Sequence, residues 1–254
     1  VGIRPFLDKE WRESWRSGRL FLLSALFLVL GISTPLMLKF LPQLIPAEWQ
    51  SILGPLLPSG PAAAVDTLFK NLAQVGVLVL VLVVMGTIAE ERARGQLELV
   101  LSKPVSVMGI VWAKFAVNAF AFLLAVLCAF LPFFAYLRVL YPPGVALLPL
   151  LVGAGFFVVY GLLVIAFTLF ASALFASQVG AALLSGGFFL ALSFLPNLGG
   201  DFARLSPAGL LAAARGLALG AGRPGDGLLG VGIAVGGVAA FLCLAVVAMR
   251  SHEW

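Results

Sequence analysis

Charge is scarce in this 254-residue chain: Asp, Glu, Lys and Arg together make up 11% of it, where about 25% is usual for a soluble domain. With 62% hydrophobic residues and a mean hydropathy of +1.11, it has too little polar surface for an ordinary water-facing domain. Histidine occurs once, at His252, and no H-E-x-x-H pattern exists, which removes the usual zinc hydrolase site. The two cysteines, Cys128 and Cys243, both fall inside apolar runs and read as packing residues rather than a disulfide framework. The phosphate-cradling G-x-x-x-x-G-K-[ST] loop and the G-x-S-x-G nucleophile turn are also missing. Acids and histidine are absent from the middle of every apolar run, so a proton relay or ion-coupled site has no residues to use. A self-sufficient enzyme, an ion channel and an ion-coupled carrier are all poorly served.

What the chain has instead is length of apolar sequence. About 20 apolar residues cross a bilayer as a helix, and Leu20–Leu38, Leu72–Ala89, Phe115–Leu137 and Leu228–Met249 each qualify. From Val139 to Gly200 there is no Asp, Glu, Lys or Arg. As one helix that stretch would run about 93 Å, so it must fold back on itself. The best turn is Ser172 to Gln178, giving spans over Val145–Leu174 and Val179–Leu195. The expected fold is therefore all-α and integral to a membrane, with six transmembrane helices. A five-span arrangement would bring Arg204, Arg215 and Arg223 to the basic side, and charge distribution does not decide between the two.

Lys and Arg cluster in residues 1–19 (Arg4, Lys9, Arg12, Arg16, Arg19) and again in the 90–114 loop. This clustering argues for a topology signal and against nucleic-acid binding. By the positive-inside rule both segments are cytoplasmic, and six spans put both termini there. The expectation is a multi-pass protein of the cell (inner, or cytoplasmic) membrane.

Residues 6–19 read as an amphipathic elbow helix lying in the interface. Leu7, Trp11 and Trp15 recur every four residues on one face, and Lys9, Arg12, Arg16 and Arg19 crowd the other. Its lipid-facing partner is the bilayer, whose headgroups suit both tryptophan and cations. Prolines 42, 46, 55, 58 and 61 break the outer segment after the first span, and Asp66 and Lys70 form an i, i+4 pair before the second. Between the fifth and sixth spans, 196–227 reads as an external loop carrying a short helix over Pro207–Leu219, too short to cross. Glycines 153, 155, 180, 186, 187, 230, 232, 236 and 237 allow close helix approach, within the chain or across a dimer face.

The densest charge lies between the second and third spans, in Glu90-Glu91-Arg92-Ala93-Arg94-Gly95-Gln96-Leu97-Glu98-Leu99-Val100-Leu101-Ser102-Lys103-Pro104. Leu97, Val100 and Leu101 share a face at i, i+3 and i+4, and Pro104 stops the helix they predict. A short amphipathic helix of this kind can dock in a groove while Glu98 and the preceding charges set its register.

Residues 86–115 resemble the membrane-exit segment of ABC-2-type transporter permeases. The matching positions are the acidic pair Glu90 and Glu91, then Gly95, Leu97, Glu98, Leu101, Ser102, Pro104, and Lys114 opening the third span. Gln96 stands where Thr is common. Lys9-Glu10 in the elbow and Ser206-Pro207 before the sixth span extend the likeness, whereas the Ala171–Gln178 turn lacks the basic residue often found there. The resemblance implies a single permease domain over 1–254, with 90–114 as a cytoplasmic coupling loop. It also implies a second permease chain, in a homodimer or heterodimer, and ATP-binding subunits that hold ATP and Mg; this chain itself would hold no cofactor or metal. Coupling would rest on Glu90, Glu91, Arg94, Gly95, Leu97, Glu98, Leu101 and Pro104, supported by elbow residues Trp11, Arg12, Trp15 and Arg16. Uncharged span interiors suit export of a hydrophobic or amphipathic substrate. The alternative from the residues alone is a non-transport membrane anchor or assembly factor that recruits a cytoplasmic ATPase or another partner.

Overall fold

The computed structural model describes residues 4–44, 46, 48–49, 58–95, 106–142, 145–175, 177–194, 209–220 and 224–251. Among these, regular structure is entirely helical. Helix α1 (Arg4–Arg16) is the elbow, and α2 (Arg19–Leu44) the first span. Gly18 takes φ +71°, the left-handed conformation glycine adopts without penalty, and so turns the chain sharply between them.

Span two is assembled from pieces. It comprises α3 (Gly60–Asn71), a π-helical turn (Leu72–Gly76), α4 (Val77–Val84) and α5 (Gly86–Ala93). Then come α6 (Val107–Leu140), α7 (Leu147–Leu174), α8 (Gln178–Phe194), α9 (Gly209–Ala218), a 3-10 turn (Pro224–Gly227) and α10 (Leu228–Ser251). Each of the six apolar runs read from sequence coincides with an apolar helix. Five of them are long enough to cross a membrane, counting Gly60–Ala93 as one. The sixth, α8, has 17 residues, about 25 Å of helix against a hydrocarbon core of about 30 Å.

Helix α7 occupies the centre, touched by α4, α5, α6, α8, α9 and α10, while α2 lies along α6. Apolar attraction cannot drive this assembly within lipid, so shape must. A methyl group added at Gly31 would lie 2.2 Å from the Ala129 carbonyl oxygen, which locates the crossing of α2 and α6. One at Gly153 would lie 2.5 Å from Ala214 O, and one at Gly161 only 2.1 Å from the Phe122 ring. Gly237 is similarly closed by Leu163, whereas Gly155, Gly186, Gly187, Gly232 and Gly236 face open space. Some of these glycines therefore seat neighbouring helices within the chain, as expected, and others leave bare outward faces.

Aromatic side chains fill the interior in two groups. Phe27, Phe69, Phe122, Phe130 and Phe157 join α2, α3, α6 and α7 through edge-on and tilted contacts with centroids 5.5–6.3 Å apart. Phe167 stacks on Phe188 at 3.7 Å and meets Phe241 edge-on at 4.9 Å, binding α7, α8 and α10. Outward-facing Phe21, Val29, Leu131, Leu183, Leu229 and Val247 are exposed, a surface suited to lipid.

The short helix expected over Pro207–Leu219 forms as Gly209–Ala218, but it is packed rather than laid on a surface. Leu210, Ala214 and Ala218 are buried against the start of α7. Arg215 reaches Asp66 at 3.4 Å, and the expected Asp66–Lys70 pair closes at 2.6 Å. Prolines 35 and 42 lie inside α2, which runs on to Leu44. The break imposed by the outer prolines thus begins beyond Pro42, and α3 opens with Pro61 in its first turn.

Candidate coupling site at the elbow end

Three chain segments meet where α1, the end of span two and the start of α6 come together. Helix α6 begins at Val107, earlier than the span read from Phe115, with Ser106 capping it: its Oγ accepts from Gly109 N at 3.4 Å. Lys114 is therefore two turns inside the helix and is 1% exposed. An ammonium has three protons to donate, and Lys114 finds three acceptors. They are Glu10 Oε1 at 2.9 Å, Glu91 Oε2 at 2.8 Å and the Thr87 carbonyl at 3.0 Å. The second oxygen of Glu91 accepts from Lys9 Nζ at 2.5 Å. Glu10 and Glu91 are 7% and 6% exposed, so two acids and Lys114 form a shielded knot with Lys9 as its outer cation.

Burial pushes the Glu10 carboxyl above its ordinary range, outweighing the pull of Lys114, and the nearby Glu91 charge adds to the rise. Burial alone would lower Lys9, but its hydrogen bond to Glu91 and the surrounding carboxylates hold it above its ordinary value. Glu10, Glu13 and Glu91 bring carboxylate oxygens within 4.8 Å of one another. Lys9 and Lys114 already stand among them and supply the positive charge that a metal ion would bring.

Glu90 points the other way. It accepts from Arg19 Nη2 at 2.8 Å and from Arg94 one turn later. The acidic pair thus holds two different partners: Glu91 ties span two to α1 and α6, and Glu90 ties it to the start of α2. Gly95, at φ +67°, closes α5 with its N–H on the Arg92 carbonyl at 2.9 Å, a left-handed helix stop. Leu97, Glu98, Leu101 and Pro104 lie outside the described residues. Trp11 packs edge-on against Phe120 of α6 at 5.1 Å, while Trp15 is 67% exposed. Arg12 and Arg16 are exposed along a cleft with Arg19, Glu90 and Arg94.

Sequence reasoning gave the tryptophans to the bilayer interface and missed both that Trp11 packs on α6 and that Glu10 is the docked charge. Its signal was present: an acid beside Trp11, with a lysine opening the third span. Ser172 was also missed. Span two breaks at Met85, and Ser172 of α7 stitches the break. Its Oγ accepts from Ile88 N at 3.1 Å and Ala89 N at 2.9 Å, and donates to the Met85 carbonyl at 2.7 Å. Arg92 donates to the Ala173 carbonyl at 3.1 Å, and Gln178 lies beside Gly86. The turn between α7 and α8 lacks a basic residue, and its neighbouring polar groups bind span two within the chain.

Among the described residues this arrangement brings together no nucleophile with an adjacent base; it joins the ends of several helices through buried charge. The end of span two is fixed to α1, α2, α6 and α7 through seven named side chains: Lys9, Arg19, Glu90, Glu91, Arg92, Lys114 and Ser172.

The transmembrane protein YxlG of Bacillus subtilis (strain 168) is 27% identical over 211 residues, covering 81% of each chain. The family described as ABC-2 family transporter protein matches residues 5–208, which takes in the elbow, the knot and the break in span two. The chain belongs to the ABC-2 transporter family, as a multi-pass membrane component of an ABC transporter.

Proposed function

We propose that this chain is the permease subunit of an exporter for hydrophobic or amphipathic compounds. In this reading, ATP and Mg are held by separate ATP-binding subunits, and a second permease chain completes the membrane part as a homodimer or heterodimer. The clustering of Lys and Arg at the elbow end supports a cytoplasmic location for that end and for both termini.

The observation that carries the proposal is the sharing of Lys114 between Glu10 and Glu91. Residues 96–105 join α5 to α6 along the chain. A push delivered to that segment by a partner reaches both helices, and the knot passes it to the elbow as one displacement. Leu97, Glu98, Leu101 and Pro104 are the surface that receives the push, with Glu90, Glu91, Arg94 and Gly95 as its mounting.

Glu98→Arg combined with Leu101→Asp tests the receiving surface by co-purification with the ATP-binding subunit and by substrate-stimulated ATP hydrolysis. Loss of both is expected. Retention of both refutes the coupling assignment. Lys114→Arg, which keeps the charge, should retain partner binding while lowering stimulated hydrolysis, because a planar guanidinium cannot present three converging donors as an ammonium does.

A further inference from the structure

Beside the knot runs a cleft of about 810 Å³ between the elbow and span two, lined by Lys9, Arg12, Arg16, Arg19, Arg94 and the acids Asp8, Glu13 and Glu90. Cations outnumber acids there by five to three. Lys9 is engaged with Glu91, and Arg19 and Arg94 with Glu90. The guanidinium groups of Arg12 and Arg16 make no hydrogen bond or ion pair with any other described residue, and both residues are exposed. The excess positive charge is thus free to meet a ligand.

The cleft does not end at the polar surface. A groove of about 340 Å³ shares Ser17, Arg19 and Glu90 with it and continues between α2 and α4, where its walls are Leu22, Val79, Leu82 and Val83. Leu22 and Leu82 are about half exposed, so the lower part opens sideways on the surface that faces lipid. Gln178 closes the groove on its third side. The two hollows adjoin at Ser17, Arg19 and Glu90, with a cationic head on the elbow side and an apolar tail farther along α2 and α4. A bare anion would leave the tail empty. A neutral lipid would leave the arginines unmatched.

We propose that the two hollows together bind an anionic amphiphile, its acidic head among Arg12, Arg16, Arg19 and Arg94 and its chain along Leu22, Val79, Leu82 and Val83. The proposal rests on the chain being a membrane protein and not on its pairing with an ATPase, so failure of the exporter reading leaves it standing. Because Glu90 faces both hollows and also anchors Arg19, an occupant sits directly on the mounting of span two.

The test uses the purified full chain in neutral detergent with pyrene-labelled phosphatidylglycerol and phosphatidylcholine, read by energy transfer from tryptophan. Wild type should prefer the anionic probe by tenfold or more. Each arginine near an anionic surface is worth about fivefold, so Arg12→Gln with Arg16→Gln should weaken phosphatidylglycerol by roughly 25-fold and spare phosphatidylcholine. Leu82→Phe, which narrows the groove without adding an energy donor, should weaken both probes together. Raising salt from 0.1 to 1 M should erode the preference, since exposed charges are screened. Equal binding of the two lipids by wild type overturns the proposal, as does an unchanged affinity in the arginine pair. Displacement of the probe by inorganic phosphate alone overturns the assignment of a tail. All substituted positions are at least partly exposed, and unchanged thermal unfolding of the variants excludes misfolding as the cause.

Discussion

Removing the Lys114 ammonium should be the most damaging single change in the elbow-end knot. Lys114→Met preserves the length of the side chain and deletes three hydrogen bonds, at 2.8, 2.9 and 3.0 Å. Two carboxylates at 6% and 7% exposure then face each other with only Lys9 nearby, which is 3.6 Å from Glu10 and already bound to Glu91. Breaking a buried ion pair from one side costs about 3–5 kcal/mol. For a chain of this size that corresponds to a fall of about 6–20 °C in midpoint. Replacing the whole knot, with Glu10→Gln, Glu91→Gln and Lys114→Met together, leaves no buried net charge and should recover most of the loss. Thermal unfolding in detergent, with trypsin cleavage after Arg16 and Arg19 as a measure of elbow release, reads both effects. If Lys114→Met melts within about 2 °C of wild type, the knot contributes little and the reasoning fails. It fails equally if the triple variant is no more stable than the single one.

Gly31→Ala should lower the midpoint by several degrees, because the added methyl meets backbone at 2.2 Å and overpacking costs about 1–3 kcal/mol. Gly155→Ala, with nothing within 4 Å, is the matched control and should be neutral. Ser172→Ala should speed amide exchange at Ile88 and Ala89 by about tenfold, since their acceptor is lost; equal exchange would show that the stitch is idle. The Lys9 contribution to elbow docking should be constant through neutral pH. Because its folded-state value is raised, that contribution is complete below 10.5 and lost only as pH climbs through the raised value. Trypsin release of the elbow that starts between pH 7 and 9 would contradict this.

The helices were legible because apolar length is a strong signal: the Val145–Leu174 and Val179–Leu195 spans fall on α7 and α8, and the turn chosen at Ser172–Gln178 falls where α7 gives way to α8. The knot was half legible. Glu90, Glu91 and Lys114 stand out in a charge-poor chain, but which acid turns inward depends on the helical phase of span two. That phase is altered upstream by a π turn that no residue pattern announces. Glu10 was hidden because its partner is 104 positions away, and the tryptophans dominate the apparent face of the elbow. Ser172 was read as a turn former for its position, whereas its function comes from the break at Met85 on another helix.

The π turn at Leu72–Gly76 has one more consequence. Such a turn holds one residue beyond the α-helical count, and each residue rotates the downstream helix by about 100°. Deleting any single residue there would leave hydropathy and span length essentially unaltered. The turn would close as ordinary α-helix, with Glu91 still on Lys114 and Glu90 still on Arg19, whereas the same deletion inside Val77–Val84 has no spare residue to absorb it and would swing both away, as if a dial had been moved by one click. The outer and inner halves of span two therefore keep their faces, one toward Phe27 and the other toward the knot, through a change in register that the five residues from Leu72 to Gly76 absorb.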